Sequence, residues 1–170
     1  EHAVRLALAL GFRAVDTATA YGNQRGVGKA LKDANRSNVF VTTKVWCDNM
    51  GEGLTAGSVR QSMRRLGLEY IDLVLIHWPG KFLRPSPDNT ALNARLRKET
   101  WRELEGLVAS GEVKRIGVSN YGERPFQELM KYAKVKPSVN QFEIHPYNTR
   151  EALVALCQQH GAIVNAYSPL

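Results

Sequence analysis

The 170-residue sequence predicts an α/β fold, a (β/α)8 barrel of the TIM type that is incomplete here, with about six of the eight β/α units. Three observations predict it. Short apolar segments alternate with amphipathic ones along the whole chain, which indicates parallel strands joined by right-handed crossovers. Polar residues follow nearly every predicted strand, and in a barrel those strand ends converge on one mouth. No Gly-x-Gly-x-x-Gly motif follows the first strand, which weakens the alternative of an open, doubly wound dinucleotide-binding sheet.

The elements follow one another without an obvious linker. The predicted strands cover residues 12–16, 39–44, 71–77, 115–119, 138–142 and 163–167. The predicted helices cover residues 1–10, 23–34, 58–66, 98–110, 125–133 and 150–160, and a Pro- and Asn-containing loop is expected at residues 79–93. The third strand is apolar at nearly every position, as expected for a strand buried on both faces of a parallel sheet. We therefore expect residues 1–170 to belong to a single domain.

Composition and charge exclude several classes of protein. The sequence is 44% apolar and 23% charged, which is typical of a globular chain, and no run of residues is apolar enough to span a membrane. The net charge of +7 comes from lysines and arginines spread over several predicted helices. Because aromatic residues do not interleave with these cations, solvated helix faces are favoured over a nucleic-acid interface. The positive field would still favour capture of an anionic coenzyme.

The cysteines and histidines give no metal-binding pattern. Cys47 and Cys157 are far apart in the sequence, so we expect free thiols in a reducing compartment, which points to the cytoplasm. Cys47 follows a tryptophan near the predicted mouth, where a passive apolar role is favoured over a redox-sensitive one. His2, His145 and His160 have no partner at the spacing of metal ligands, so no metal is predicted.

Four titratable residues lie close to the ends of the first three predicted strands. They are Asp16 and Tyr21 after the first strand, Lys44 at the end of the second and His77 at the end of the third. A tyrosine has an ordinary pKa of about 10 and becomes a useful proton donor near neutral pH only beside a cation. Taken singly, the aspartate could be a helix cap, the lysine a solvated strand end and the histidine a packed core residue. In a barrel the ends of these strands converge on one mouth, where such enzymes carry out their chemistry.

Six motifs in order resemble those of the aldo-keto reductases, and the resemblance extends along the whole chain. They are Val15-Asp16-Thr17-Ala18-x-x-Tyr21-Gly22-Asn23, Thr43-Lys44-Val45-Trp46, Leu75-Ile76-His77-Trp78-Pro79, Gly111-x-Val113-Lys114-x-Ile116-Gly117-Val118-Ser119-Asn120, Asn140-Gln141-x-Glu143-x-His145-Pro146 and Ala166-Tyr167-Ser168-Pro169-Leu170. One such motif would be suggestive. Six with family-like gaps are highly specific.

The resemblance implies reduction of an aldehyde or ketone to an alcohol by hydride from NADPH, with NADH possible. Tyr21 would be the proton donor, Lys44 would favour that role by its charge, and Asp16 would hold the lysine in place. His77 would donate a hydrogen bond that orients the carbonyl, in a protonation state that the sequence does not reveal. Trp46 and Trp78 correspond to the apolar wall around the small carbonyl substrate, whereas Trp101 is expected in the core.

Six further positions correspond to the family's coenzyme contacts: Ser119, Asn120, Gln141, Tyr167, Ser168 and Leu170. The first three would hydrogen-bond the nicotinamide carboxamide, the tyrosine would stack on the nicotinamide ring, and the last two would contact the pyrophosphate. Without the resemblance, Tyr167 would be taken for an ordinary aromatic residue at a strand end.

Compared with the family, the chain lacks counterparts of the first strand and its hairpin, the last strand, the two final helices and the C-terminal loop. We therefore expect it to be part of a longer sequence, and six strands with two open edges would be unstable or aggregate in isolation. The missing part includes the family's 2′-phosphate site, which leaves NADPH against NADH open, and most of the substrate-selecting loop, which leaves the natural substrate open. The sequence does not establish the oligomeric state. The alternative function is a catalytically impaired coenzyme-binding or regulatory scaffold of the same fold.

Overall fold

A computed structural model describes residues 1–82, 84 and 86–170 of the chain. Within these residues six strands alternate with six α-helices. The strands are β1 (Ala14–Asp16), β2 (Phe40–Val45), β3 (Ile71–Ile76), β4 (Val113–Ser119), β5 (Val139–Glu143) and β6 (Ile163–Tyr167). The helices are α1 (His2–Ala9), α2 (Gln24–Leu31), α3 (Thr55–Leu66), α4 (Pro87–Ala109), α5 (Glu123–Tyr132) and α6 (Glu151–Gln159).

All six strands belong to one parallel sheet whose strand order is the order of the chain. The register places Asp16 opposite Thr42, Lys44 opposite Leu75, and Ser119 opposite Gln141. Because every strand runs in the same direction, these polar residues collect at the carboxyl edge of the sheet. The sheet curls into part of a barrel, which confirms the predicted incomplete (β/α)8 fold.

The main core lies between the middle strands and helices α3, α4 and α5. Five of the six residues of β3 are buried, as its apolar sequence predicted. Trp101 on α4 is completely buried, and its indole Nε1 donates a hydrogen bond of 3.1 Å to the carbonyl of Val135. Trp101 is therefore a core residue, as the sequence indicated, and a buried indole N–H has the partner it requires.

Helix α4 begins well before the residue expected from the sequence, and the loop prediction for residues 79–93 is wrong from Pro87 onward. The Ser86 side chain accepts a hydrogen bond of 3.1 Å from the amide N–H of Asn89. A serine cap followed by proline at the first helical position is a strong start signal, because proline needs no hydrogen-bond partner there. Leu83 and Pro85 of the predicted loop lie outside the described residues.

The two edge strands are much more exposed than the middle of the sheet. Asp16 and Ala14 on β1 are exposed, and Ile163 on β6 retains 67% of its surface. Between them the strands approach closely at Gly117 on β4, where a Cβ would lie 2.6 Å from the carbonyl oxygen of Val139. A larger residue at position 117 would push β4 and β5 apart, so glycine is required by the packing.

Candidate active site

The local structure after β1 brings Tyr21 toward the end of β2. Asp16 is the last residue of β1, and a short 3-10 turn, Thr19–Tyr21, follows it. The Thr19 hydroxyl donates a hydrogen bond of 3.1 Å to the Lys44 carbonyl, which ties this turn to β2. Gly22 ends the turn with a φ of 66°, a left-handed conformation that glycine adopts without strain.

Lys44 is the centre of the cluster and is only 2% exposed. Its Nζ atom donates to Asp16 Oδ1 and lies 3.3 Å from the Tyr21 hydroxyl and 3.4 Å from the carbonyl oxygen of Thr17. The ammonium group is therefore surrounded by three oxygen acceptors, one of them a carboxylate, which compensate its removal from water. Tyr21 itself is half exposed, so its hydroxyl can meet a molecule that enters from outside.

His77 follows β3 and faces the same cluster. Its ring packs edge-on against Tyr21, with centroids 5.7 Å apart, and against Trp46, with centroids 5.2 Å apart. Burial lowers the pKa of His77 to about 4, helped by the positive charge of Lys44 and opposed by Asp16. The imidazole is therefore neutral near pH 7 and can donate one hydrogen bond.

Amide side chains connect this cluster to the neighbouring strands. Gln141 Nε2 donates a hydrogen bond of 2.7 Å to Asp16 Oδ2. Asn120 Nδ2 donates to the His77 carbonyl at 3.0 Å, and the Tyr167 hydroxyl donates to Asn120 Oδ1 at 2.9 Å. Asn120 has a φ of 61°, which is uncommon for a residue other than glycine and is typical of functional sites.

A cleft of about 700 Å³ opens at this edge of the sheet. Its lining residues are Asp16, Tyr21, Lys44, His77, Trp78, Ser119, Asn120, Gln141, Asn165, Ala166, Tyr167, Ser168 and Pro169. Asn165, Ala166 and Pro169 were not among the predicted site residues. Asn165 could have been found, because a polar residue two positions before Tyr167 in an apolar strand lies on the same face.

Two of the predicted site residues, Trp46 and Leu170, are not among the residues that line the cleft. Trp46 packs against the His77 ring and against Phe82, with centroids 6.1 Å apart, so it supports the rim of the cleft. Leu170 is fully exposed and is not among the lining residues. Trp78 does line the cleft and also packs edge-on against Phe82, with centroids 5.5 Å apart.

The surroundings of Cys47 and His145 indicate structural roles. Cys47 is 2% exposed, and burial raises the pKa of its thiol to about 11, which disfavours the reactive thiolate. His145 Nε2 lies 3.1 Å from Glu143 Oε1, a partner that the sequence analysis missed. Throughout the residues that the structure describes, no group of three or more His, Cys, Asp or Glu side chains could hold a metal ion.

The curled parallel sheet with a polar cleft at its carboxyl edge defines a protein of the (β/α)8 barrel class. Within that class the chain belongs to the aldo/keto reductase family, whose sequence profile matches residues 1–170. The family resemblance inferred from the motifs is thereby confirmed.

Relatives and solved structures agree with this family. The chain is similar to glyoxal reductase of Bacillus subtilis, with 40% identity over 169 residues that cover 98% of this chain and 56% of the relative. An aldo/keto reductase structure from Brucella melitensis matches with a TM-score of 0.88 at 40% identity, covering 99% of this chain and 62% of that one. A Bombyx mori aldo-keto reductase in complex with NADP matches with a TM-score of 0.85 at 35% identity, covering 98% and 55%. The chain thus spans only 55–62% of the length of these proteins.

Proposed function

We propose that the protein reduces aldehydes or ketones to alcohols with hydride from NADPH and with Tyr21 as the general acid. One observation carries this proposal. The Lys44 ammonium lies between a carboxylate and the Tyr21 hydroxyl, 3.3 Å from the latter, at the edge of an open cleft. A buried cation beside a half-exposed phenol has little value for stability and much for proton transfer.

Each of the four residues has a distinct role in the proposed reaction. As a carbonyl carbon accepts hydride, negative charge develops on the carbonyl oxygen and must be protonated or stabilised. Tyr21 donates the proton, and the Lys44 ammonium stabilises the charge left on the phenol oxygen. Asp16 holds that ammonium in place. His77 is neutral in the proposed reaction, because its pKa is lowered to about 4. It donates a hydrogen bond to the carbonyl oxygen and so orients the substrate.

The residues of the cleft fit a nicotinamide coenzyme, which supplies the hydride when bound. Ser119, Asn120 and Gln141 present a hydroxyl and two amides to the cleft, a set that matches the donor and acceptor groups of a carboxamide. Tyr167 lines the same cleft and its hydroxyl donates to Asn120, which supports the proposal that its ring stacks on a flat aromatic group.

The pyrophosphate would lie beyond these residues. Ser168 lines the cleft with a φ of 46°, and Leu170 is at the end of the same segment. The match to an NADP-bound relative supports the choice of NADPH, and NADH is the second candidate.

The rim of the cleft suggests a small carbonyl substrate. Trp46, Trp78 and the 70% exposed Phe82 form an aromatic group beside His77. Such a wall selects by shape and apolar contact, because it offers few hydrogen-bond partners. We choose glyoxal as the first probe because one relative is named for its reduction.

Domain organisation, location and partners are part of the proposal. We place residues 1–170 in one barrel domain that the chain fills only in part, and we propose a cytoplasmic protein without a nucleic-acid partner. In support, both cysteines are buried and unpaired. No helix in the described part of the chain is long and apolar enough to cross a membrane.

The proposal is tested by following glyoxal-dependent loss of NADPH absorbance for the wild type, Tyr21→Phe and the matched control Tyr147→Phe. Tyr147 is 98% exposed, so its hydroxyl can be removed without touching the cleft. We expect Tyr21→Phe to lower turnover by at least about a hundredfold, a typical contribution of a general acid. Coenzyme binding, measured by fluorescence quenching, should stay within a few-fold of the wild type.

Two outcomes would contradict the proposal. If the wild type binds NADPH but turns over no aldehyde or ketone, the protein is the coenzyme-binding scaffold of the alternative reading. If Tyr21→Phe is as active as Tyr147→Phe, the proton comes from another group.

A further inference from the structure

The contact between Gln141 and Asp16 joins two strands that are not neighbours in the sheet. Gln141 lies on β5 and Asp16 at the end of β1, with three strands between them in the sheet order. The hydrogen bond of 2.7 Å therefore crosses the inside of the curled sheet. Gln141 is only 4% exposed, although it contributes to the lining of the cleft.

This contact determines how the Asp16 carboxylate is oriented. One carboxylate oxygen, Oδ1, accepts from Lys44, and the other, Oδ2, accepts from Gln141. The Asp16 side chain is 39% exposed, so without the second contact it could rotate toward water and still remain solvated. With both oxygens engaged, the carboxylate plane is fixed relative to Lys44.

We propose that Gln141 is a positioning residue for the Asp16–Lys44 pair, in addition to the coenzyme contact that the family resemblance implies. The inference rests on the proposed function. Gln141 acts through Asp16, because its amide donates to the carboxylate and makes no hydrogen bond to Lys44 or Tyr21 among the described residues. A carboxylate held at both oxygens keeps the ammonium beside the Tyr21 hydroxyl.

The chemistry of a primary amide allows both roles at once. Gln141 donates to Asp16 through Nε2, whereas its Oε1 accepts no side-chain hydrogen bond within the described residues. Gln141 lines the cleft, so its Oε1 can accept from the N–H of a carboxamide that binds there. One side chain thus connects the coenzyme position to the residues that handle the proton.

A spectroscopic experiment tests the contact without any turnover. The side-chain N–H₂ resonances of Gln141 are recorded by 15N NMR in the wild type and in Asp16→Asn, and are assigned by their loss in Gln141→Leu. We expect one amide proton to be shifted downfield by the carboxylate and to move upfield when Asp16 is replaced, because charge-assisted hydrogen bonds are the stronger ones. An unchanged chemical shift of this amide proton in Asp16→Asn would overturn the inference.

Kinetics then separate positioning from coenzyme binding. Gln141→Leu is compared with Gln158→Leu, the same change at an exposed position of α6. At saturating NADPH we expect kcat of Gln141→Leu to fall about tenfold, since small misplacements of reacting groups are costly. A mere coenzyme ligand would raise the Kd of NADPH and leave kcat at saturation unchanged, and that result would overturn the inference.

A double-mutant cycle shows whether Gln141 acts through Asp16. In the Asp16→Asn background we expect Gln141→Leu to lower kcat less than twofold, because the partner it positions is already altered. A full tenfold loss in that background would contradict the inference. If the wild type lacks turnover but the amide resonance still responds to Asp16→Asn, the proposed function fails while the positioning contact stands.

Discussion

The Arg36–Asp72 and Lys44–Asp16 ion pairs lie at opposite ends of the strands of the sheet, and their surroundings differ. At the amino edge, Arg36 Nη2 donates to Asp72 Oδ2 at 2.6 Å. The same oxygen accepts from the Val41 amide at 2.9 Å, and the guanidinium lies 4.2 Å from the centre of the Tyr70 ring. At the carboxyl edge, the Lys44–Asp16 pair contacts a phenol and borders an open cleft.

The difference shows how surroundings decide what an ion pair can do. Asp72 on β3 uses one oxygen for a side chain and for the backbone of β2, and Arg36 also donates to the Tyr70 carbonyl at 3.2 Å. That pair clamps two strands together. Lys44 and Asp16 instead contact side chains that face the cleft, so the charge is available to a bound molecule.

The largest effect is expected for Lys44→Met. In the proposed reaction the ammonium stabilises the charge left on the Tyr21 oxygen, so we expect its removal to lower kcat about a thousandfold. The free energy of unfolding should change little, because Asp16 remains accessible to water. Lys32→Met, at an exposed position, is the control. Turnover within a few-fold of the wild type would remove Lys44 from the mechanism.

A smaller effect, on stability and not on turnover, is expected for Asp72→Asn. The side chain of Asp72 is only 16% exposed. Because the substitution leaves the partly buried Arg36 without a carboxylate partner, we expect the free energy of unfolding to fall by about 2 kcal/mol. kcat per folded molecule should be unchanged. Urea unfolding and the NADPH assay measure both quantities, with the exposed Asp88→Asn as control. Unchanged stability would show that the Arg36 pair is not a clamp.

The smallest effect is a pH dependence caused by His77. Its folded-state pKa of about 4 lies below the ordinary value of 6.5. Between these values the unfolded chain binds a proton that the folded chain does not, so stability falls as the pH decreases. From pH 6.5 to 5.5 this amounts to about 1 kcal/mol. In urea unfolding, the His77→Gln variant should lack this pH dependence of the unfolding free energy, whereas the His2→Gln control should keep it. An identical pH dependence for both variants and the wild type would contradict the buried neutral state.

The parts of the fold that depend on local pattern could be predicted from the sequence. The apolar run of β3 indicated a strand buried on both faces, and the polar residues after successive strands indicated a common mouth. Helix α4 is longer than the sequence predicts, because the Pro- and Asn-containing stretch is typical of a loop whereas Ser86 and Pro87 form a helix start.

The contacts across the sheet could not be predicted, because they depend on its curvature. Gln141 and Asp16 are 125 residues apart, and nothing in either segment indicates that one donates to the other. The clamp of Arg36 and Asp72 could not be predicted either, because it depends on the register of β2 and β3. Motifs identify which residues belong to a site, but only the folded structure shows which of these residues form hydrogen bonds with one another.

The strand order, which equals the chain order, also bears on the timing of assembly during synthesis. Each strand pairs with the one made just before it, so the sheet can grow while the chain leaves the ribosome. The Asp16–Gln141 contact is different, since it cannot form until β5 has been translated. Asp16 and Lys44 are therefore synthesised before Gln141, the residue that we propose fixes their geometry.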